Sequence, residues 1–221
     1  MPAHAAGTPA SLLVRIGRLP EPLAYPPLEF AGAGRYDDPE GSYRVLYLAE
    51  SLKTCYIELF ANQRPSLQAL AMRSLLPPGE PGDHEPALGR IPRDWLLRWC
   101  EERAIGRIAL VPDQRWLDLY AAETHRELRS KLAPLLHDLN IGDFDFGDVL
   151  SRNRRLSQAV SRWAFQAGFR GIVFPSRFHY ELRCWALFET ARFRRLDIVP
   201  VDPDSAELQA ALSFHGLAVL Q

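Results

Sequence analysis

The sequence predicts a single α+β domain, and three observations support this fold class. The chain has 221 residues, of which 47% are hydrophobic and 24% charged, a composition that suits one globular domain with a sizeable core. Strand-like and helix-like segments follow one another without the regular alternation of a parallel α/β fold. The chain contains no internal repeat. We therefore expect one domain over residues 12–221, preceded by a flexible tail of small and polar residues at 1–11.

In the first third of the chain, turn-forming residues separate two strands and a helix. Four prolines between Pro20 and Pro27 exclude regular structure and predict an ordered loop. Ser51 is a candidate N-cap, because its hydroxyl can satisfy an unpaired N–H of a first helical turn. The predicted elements are a strand at Leu12–Ile16, a turn at 34–42, a strand at Tyr43–Leu48 and a helix from Leu52 to Ala61.

The rest of the chain continues as a mixture of strands and helices. Leu67 to Leu76 alternates enough to predict a strand, and the Pro/Gly-rich segment 77–86 predicts a loop. Pro134 is expected to kink or divide a helix over 123–139. The other predicted elements are strands at 108–111, 116–119, 171–174, 184–188 and 198–201, the last an edge strand by its proline, and helices from Pro92, over 157–167 and over 205–214.

Composition excludes several classes of protein. The 26 basic and 27 acidic side chains balance, so nothing predicts direct nucleic-acid binding, and no helix-turn-helix is evident. Cys55, Cys100 and Cys184 are too widely spaced for a zinc site or a disulfide framework and suit a reducing compartment. No run approaches the roughly 20 apolar residues of a membrane helix. We therefore expect a cytoplasmic protein with no signal peptide and no metal site.

The stretch from Gly34 to Ala61, GRYDDPEGSYRVLYLAESLKTCYIELFA, contains most of the candidate functional side chains. It combines an Arg-Tyr pair, a second tyrosine and a lone glutamate, Glu58, in one turn-strand-helix unit. A single glutamate on a helix is usually a solvated carboxylate on the outer face. Spacing alone does not distinguish Glu58 from that ordinary case.

The order of the motifs resembles the RES domain, a family named for its Arg, Glu and Ser that typically supplies the toxin of bacterial toxin–antitoxin pairs. The resemblance rests on G-R-Y at 34–36, L-Y-L-A at 46–49, Glu58 eleven residues after Tyr47, and G-I-V-F-P-S-R at 171–177. The motifs are short, and their joint order and spacing make the match specific.

The resemblance implies a fold similar to that of ADP-ribosyltransferase toxins, in which two small mixed β-sheets form a cleft flanked by helices. Compared with a compact member of the family, the span between Glu58 and Ser176 is long. We therefore expect insertions around residues 77–92 and 120–140 of the same domain.

The resemblance also implies NAD as the substrate, with no true cofactor. It assigns catalysis to Glu58, Arg35 and Ser176. The NAD-binding residues that it implies are Arg35, Tyr36, Tyr47, Ser176 and Arg177. The turn after Arg35 is longer than the family's usual turn, so Arg15 remains an alternative for the functional arginine.

The function implied by the resemblance is that of a toxin of a type II toxin–antitoxin system. It would cleave the nicotinamide–ribose bond of NAD with phosphate or water as acceptor, and an Xre-like helix-turn-helix antitoxin would hold it inactive. Two alternatives stay open: mono-ADP-ribosylation of a protein target, and a non-catalytic nucleotide-binding module. Homo-oligomerisation also stays open.

Overall fold

The computed structural model describes residues 12–30, 32–75 and 88–220, and these residues form the expected α+β domain. The strands are β1 (Leu12–Arg18), β2 (Val45–Ala49), β3 (Arg90–Ile91), β4 (Arg103–Leu110), β5 (Leu117–Asp118), β6 (Gly171–Ser176), β7 (His179–Phe188), β8 (Phe193–Pro200) and β9 (Ala218–Val219). The helices are α1 (Leu52–Phe60), α2 (Leu67–Ser74), α3 (Arg93–Glu101), α4 (Ala122–Lys131), α5 (Ala133–Asp138), α6 (Phe146–Leu150), α7 (Arg154–Gln166) and α8 (Ala206–Phe214). The predicted tail at 1–11 and loop at 77–86 lie outside the described residues.

Predictions that depend on caps and prolines are confirmed. The Ser51 Oγ accepts a hydrogen bond from the Thr54 N–H at 3.1 Å and caps α1. The predicted helix over 123–139 is divided into α4 and α5, with Pro134 in the first turn of α5, where a missing N–H costs little. Strand β8, which ends at Pro200, lies at an edge of the sheet as predicted.

The strand predicted at Leu67–Leu76 is wrong, because residues Leu67–Ser74 form helix α2. The Ser66 Oγ accepts a hydrogen bond from the Ala69 N–H at 3.1 Å, and the Leu, Gln, Ala and Met residues that follow are strong helix formers. No residue of α2 is buried. The apolar alternation that suggested a strand therefore does not mark a face packed on the core.

Seven strands form one sheet in the order β5-β6-β7-β2-β1-β4-β8, while β3 and β9 pair separately. Within the large sheet only β5 and β6 run parallel among the described strands. Five residue pairs join β2 to β7, and seven join β1 to β4. Between β1 and β2 the described pairing is limited to Val14 and Ala49, a junction that we call the seam. Where the resemblance implies two small sheets, the chain thus has one sheet whose halves meet at the seam.

Helices cover one face of this sheet in two separate groups. Helices α4 to α7 pack on the half that contains β2, β6 and β7, and α1, α3 and α8 pack on the half that contains β1 and β4. Along β2, Val45 and Tyr47 belong to the first core cluster, and Ala49 belongs to the second. Since alternate residues of a strand share a face, both helix groups lie on the same side of the sheet. The space between them lies above the seam.

The other face of the sheet is covered in part by the proline-rich loop. Leu23 of that loop is buried in a third core cluster with Trp116 and Trp185. A Cβ at Gly106 would lie 2.5 Å from the Leu23 Cγ, so β4 needs glycine where the loop packs. The ordered loop predicted at 20–27 is therefore confirmed.

The segment 120–140, which was predicted as an insertion, contributes to the first core cluster. Leu128, Leu132 and Leu136 on α4 and α5 are buried there. Among the described helices, none has both the length and the apolar character needed to cross a membrane.

Candidate functional site

A cavity of about 360 Å³ opens between the two helix groups, above the seam. Its walls come from both halves of the sheet, from α1, from the first residue of α7 and from the turn that contains Gly34. The apolar part of the lining includes Tyr47, Ala49 and Phe174. The charged side chains that line it are four arginines and one glutamate: Arg15, Arg35, Arg154, Arg177 and Glu58.

Glu58 lies in the wall that α1 contributes, next to Leu59 and one turn after Cys55, both of which also line the cavity. Its side chain is partly exposed. Within the described residues, Glu58 has no hydrogen-bonded or ion-paired partner. A carboxylate that forms no contact ion pair is available to a ligand, although its charge acts on the nearby Arg177.

The Gly34 turn, residues 34–42, is held by the hydroxyl of Tyr47. That hydroxyl donates a hydrogen bond to the Asp37 carboxylate at 2.8 Å and accepts one from the Tyr36 N–H at 2.8 Å. The other Asp37 carboxylate oxygen accepts from the Gly34 N–H at 2.6 Å. A Cβ at Gly34 would lie 2.4 Å from Asp37 Oδ1 and 2.5 Å from the Tyr47 hydroxyl oxygen, so a larger residue here would displace these two hydrogen-bonded groups.

Helix α7 also binds the Gly34 turn, through the side chains of Gln158 and Ser161. The Gln158 side-chain amide donates to the Gly32 carbonyl just before the turn at 2.8 Å and to the Gly34 carbonyl at 3.3 Å. The Ser161 hydroxyl donates to the Tyr36 carbonyl at 2.5 Å. The two side chains share one face of α7, because they are three residues apart on the helix. The turn that carries Arg35 is therefore fixed to a helix as well as to a strand.

Ion pairs between Arg162 of α7 and two carboxylates of the Gly34 turn further fix the turn to the helix. Arg162 lies 2.7 Å from Asp38 and 2.5 Å from Glu40. Burial acts to raise the pKa of Asp38, but hydrogen bonds from Arg162 and Ser42 together hold this pKa below its usual value. The carboxylate of Asp38 therefore stays charged although its residue is buried.

Arg35 projects from the Gly34 turn into the cavity lining. By geometry, its one hydrogen bond within the described residues is a long one, 3.5 Å from Nη1 to the Val149 carbonyl, and its guanidinium also lies near the Tyr36 hydroxyl. Most of its donors are thus available for an anion. A guanidinium on a rigid turn can bind a phosphate or carboxylate through two parallel hydrogen bonds.

Arg15, the alternative functional arginine, has a structural task at the seam. Its Nε donates to the Pro22 carbonyl at 2.9 Å, and its Nη1 donates to the Tyr47 carbonyl of β2 at 2.9 Å. The guanidinium thus bonds to β2 at a position where β1 and β2 are not paired through their backbones. Burial lowers the pKa of Arg15. Of the two candidates, Arg35 has more donors left for a ligand.

Two residues that the resemblance implies at the site lie behind the lining. Tyr36 is 1% exposed, and its ring packs against Phe174 with a centroid distance of 4.7 Å. Its hydroxyl has no hydrogen-bond partner of good geometry among the described residues, although Arg35 is near enough to oppose the rise in pKa that burial causes. Ser176 is also 1% exposed, and its Oγ accepts a hydrogen bond from the Phe178 N–H at 3.1 Å. Tyr47, Glu58, Arg35 and Arg177 line the cavity directly.

Sequence reasoning did not identify Arg154 and Asn62 as lining residues. Arg154 is the first residue of α7, and its helix is capped by the Asn153 side chain, which accepts from the Leu156 N–H at 3.3 Å. Asn62 follows α1, one turn after Glu58. The spacing between Glu58 and Asn62 was a usable signal for a shared helix face. Nothing near Arg154 in the sequence indicates its proximity to Glu58.

The lining also contains two cysteines, Cys55 and Cys184. Burial raises the pKa of Cys55 to about 12 and that of Cys184 well above its usual value. Both thiols stay protonated near neutral pH, which makes them poor nucleophiles. Among the described residues, no group of three His, Cys, Asp or Glu side chains could hold a metal ion. The chemistry available in this lining is that of guanidinium groups, one carboxylate and an apolar floor.

The fold is similar to that of a chain in the crystal structure of the M. tuberculosis MbcT–MbcA toxin–antitoxin complex, with a TM-score of 0.55. The match covers 92% of this chain and 89% of that chain, at 16% sequence identity. At this identity the likeness establishes the fold alone. No curated protein matches the sequence.

The family model of the RES domain matches residues 12–209. This span contains every residue of the cavity lining, together with the Arg35, Glu58 and Ser176 that the motifs indicated. It also covers most of the chain. The protein belongs to the RES-domain family.

Proposed function

We propose that the protein is a toxin that degrades NAD by cleaving the nicotinamide–ribose bond, with phosphate or water as acceptor. The observation that carries the proposal is the charge of the cavity, which is lined by four arginines and one unpaired glutamate. A diphosphate group suits several guanidinium groups. A ribose that becomes positively charged during the reaction suits a single free carboxylate.

In the proposed reaction, the bond between ribose C1′ and nicotinamide N1 breaks, and both of its electrons leave with nicotinamide. The Glu58 carboxylate would stabilise the oxocarbenium-like ribose that remains. Attack of water on C1′ then gives ADP-ribose and a proton, and attack of phosphate gives ADP-ribose phosphorylated at C1′. Neither path needs an oxidant or a reductant.

The other residues of the site would bind and orient the dinucleotide. Arg35 and Arg154 line the cavity from different elements and are suited to the diphosphate. Tyr47 and Phe174 offer flat apolar surfaces to the nicotinamide ring. We assign indirect roles to the two buried residues: Tyr36 supports Phe174, and Ser176 holds the turn that carries Arg177.

We further propose that an antitoxin, an Xre-like helix-turn-helix protein, covers the mouth of the cavity. Membership of the RES family and the likeness to a chain of a toxin–antitoxin complex support this partner. Exposed apolar side chains on α1 and on the next helix, α2, also suit a protein partner. Leu59, in the lining, is 40% exposed, and Leu67 and Met72 on α2 are 84% and 62% exposed.

The first test is nicotinamide release from NAD by the purified protein, with and without inorganic phosphate. We expect release by the wild type and a loss of about 10²- to 10³-fold in kcat for Glu58→Gln, because the substitution removes the charge that stabilises the transition state. A strong dependence on phosphate would indicate phosphorolysis, and its absence would indicate hydrolysis.

Glu101→Gln is the matched control, since Glu101 is an exposed carboxylate on α3. It should leave the rate unchanged. If folded wild type releases no nicotinamide in either buffer, NAD degradation is excluded. Labelling of a protein acceptor would then favour mono-ADP-ribosylation, and NAD binding without any reaction would favour a nucleotide-binding module.

A further inference from the structure

Phe178 contacts one of the guanidinium groups that line the cavity. The guanidinium carbon of Arg177 lies 4.9 Å from the centroid of the Phe178 ring, a distance typical of a cation–π contact. Arg177 and Glu58 both line the cavity. Within the described residues no salt bridge joins these two side chains, so the guanidinium lies against the ring and does not pair with the carboxylate.

The charges around Arg177 favour a move of its guanidinium toward Glu58. Burial and then the charge of Arg152 lower the pKa of Arg177, and Arg35 and Arg64 act in the same direction. Of the effects that act most strongly on this pKa, only that of Glu58 raises it. A guanidinium that is repelled by neighbouring arginines and attracted by one carboxylate should pair with that carboxylate, unless another contact holds it.

The Phe178 residue is itself held by two neighbouring elements. Its N–H donates a hydrogen bond to the Oγ of Ser176, the last residue of β6, at 3.1 Å. The His215 ring packs edge-on against the Phe178 ring with a centroid distance of 5.3 Å, and the His215 Nε2 lies 2.7 Å from the Ile57 carbonyl of α1. Because Ile57 directly precedes Glu58, these contacts fix the ring relative to the helix that carries the carboxylate.

We propose that Phe178 is a positioning residue, which holds the Arg177 guanidinium away from Glu58 and so keeps the carboxylate accessible to the substrate. The proposal rests on the proposed function, because it concerns access to the carboxylate that would stabilise the ribose. A cation–π contact at an exposed site and a surface salt bridge are similar in strength. Loss of the ring should therefore be enough to let Arg177 form a contact ion pair with Glu58.

Such an ion pair would affect substrate binding more than the reaction. It would form in the free protein, and the substrate would have to displace it before the ribose could approach Glu58. The apparent affinity then falls with the fraction of molecules in which the carboxylate is free, whereas the bound complex reacts as before. KM should therefore rise while kcat changes little.

The test is nicotinamide release from NAD by the full-length Phe178→Leu protein, since leucine keeps an apolar side chain and removes the aromatic face. We expect KM to rise about tenfold and kcat to stay within about twofold of the wild-type value. Phe178→Tyr keeps the ring and should match the wild type in both values. Phe178→Met also lacks a ring and takes the place of the leucine variant if that variant does not fold.

Two further backgrounds separate this role from a purely structural one. In the Arg177→Gln protein no guanidinium is left at this position to pair with Glu58, so adding Phe178→Leu should not raise KM further. Arg64→Gln is the matched control, because the Arg64 guanidinium carbon lies 5.0 Å from the centroid of the same ring but Arg64 is not part of the cavity lining. In that background Phe178→Leu should still raise KM about tenfold.

Three outcomes would overturn the proposal. One is a KM that Phe178→Leu leaves unchanged in the otherwise wild-type protein. Another is an equal rise in KM in the Arg177→Gln background, which would show that the ring only supports the turn. The third is loss of the effect in the Arg64→Gln background, which would assign it to the general charge around the ring.

A crystal structure of the ligand-free Phe178→Leu protein separates this proposal from the proposed function. An Arg177 guanidinium nitrogen within about 4 Å of a Glu58 carboxylate oxygen would support the positioning role, even if the wild type released no nicotinamide. Release of nicotinamide by the wild type, together with an unpaired Glu58 in the variant structure, would support the reaction and exclude the positioning role.

Discussion

Two turns border the cavity, and they differ in how many side-chain hydrogen bonds hold them. The Gly34 turn is fixed by side chains from β2, α7 and its own sequence, through hydrogen bonds that involve Tyr47, Gln158 and Ser161. The turn at Arg177–Phe178 is held by one side-chain hydrogen bond, to Ser176, and by ring contacts. The first turn presents Arg35 from a backbone held by several side chains, and the second presents the exposed Arg177. We infer that the Gly34 turn holds its arginine firmly in place, whereas the Arg177–Phe178 turn holds its arginine with fewer bonds.

The largest effect on stability is expected from Gly34→Ala, which should disrupt the hydrogen bonds that hold the Gly34 turn. The new Cβ would displace the Asp37 carboxylate and the Tyr47 hydroxyl, which are hydrogen-bonded to each other. Losing these bonds should lower the free energy of unfolding by about 2–4 kcal/mol. Denaturant unfolding measures this change, and Gly142→Ala is the control, because a Cβ there meets nothing within 4 Å. Equal stability of the two variants would show that the hydrogen bonds between Gly34, Asp37 and Tyr47 do not stabilise the turn.

A smaller effect on stability is expected from Tyr47→Phe, which keeps the ring in the cavity wall and removes only the hydroxyl. The Tyr36 N–H and the Asp37 carboxylate each lose a partner, so we expect a loss of about 1–3 kcal/mol in stability. Catalysis should fall as well, because Arg35 is less well positioned. Tyr180→Phe, at a tyrosine that is 60% exposed, should change neither quantity. A normal unfolding curve with weakened substrate binding would instead assign the Tyr47 hydroxyl to direct ligand contact.

The smallest effect on stability is expected from Ser176→Ala, about 1 kcal/mol, because one hydrogen bond is lost. If Ser176 acts by holding the second turn, KM should rise while kcat changes little. Ser157→Ala, at a buried serine of α7 that bonds only within its helix, controls for the loss of a hydroxyl. A large fall in kcat at unchanged KM would show that Ser176 takes part in the reaction itself.

Features encoded within a few residues were predictable from the sequence. The Ser51 cap, the division near Pro134 and the edge position of β8 each follow from the chemistry of one side chain and its neighbours. Helix α2 was missed because its apolar residues alternate without packing on the core, and pattern reasoning assumes that apolar residues mark a buried face.

The site was predictable only in part, because its geometry depends on contacts that are remote in sequence. Glu58 and Arg35 were indicated by resemblance, and the cavity brings them together. Arg154 reaches the same lining from more than ninety residues further along the chain, and no local pattern could indicate that. Tyr36 and Ser176 each belong to a family motif, but the motifs do not indicate that both side chains are buried behind the cavity lining.

The seam has a consequence for the energetics of the whole domain. In the described part of the chain, the two halves of the sheet share one backbone pairing, Val14 with Ala49, and the Arg15 guanidinium supplies a further bond to β2. The cavity above is walled by residues from both halves, including Ile16 from one and Tyr47 from the other. A ligand that contacts both walls therefore acts as a cross-link that the backbone lacks, and its binding free energy adds to the cohesion of the fold. Under the proposed function, depletion of the free dinucleotide would therefore lower the free energy of unfolding of the protein.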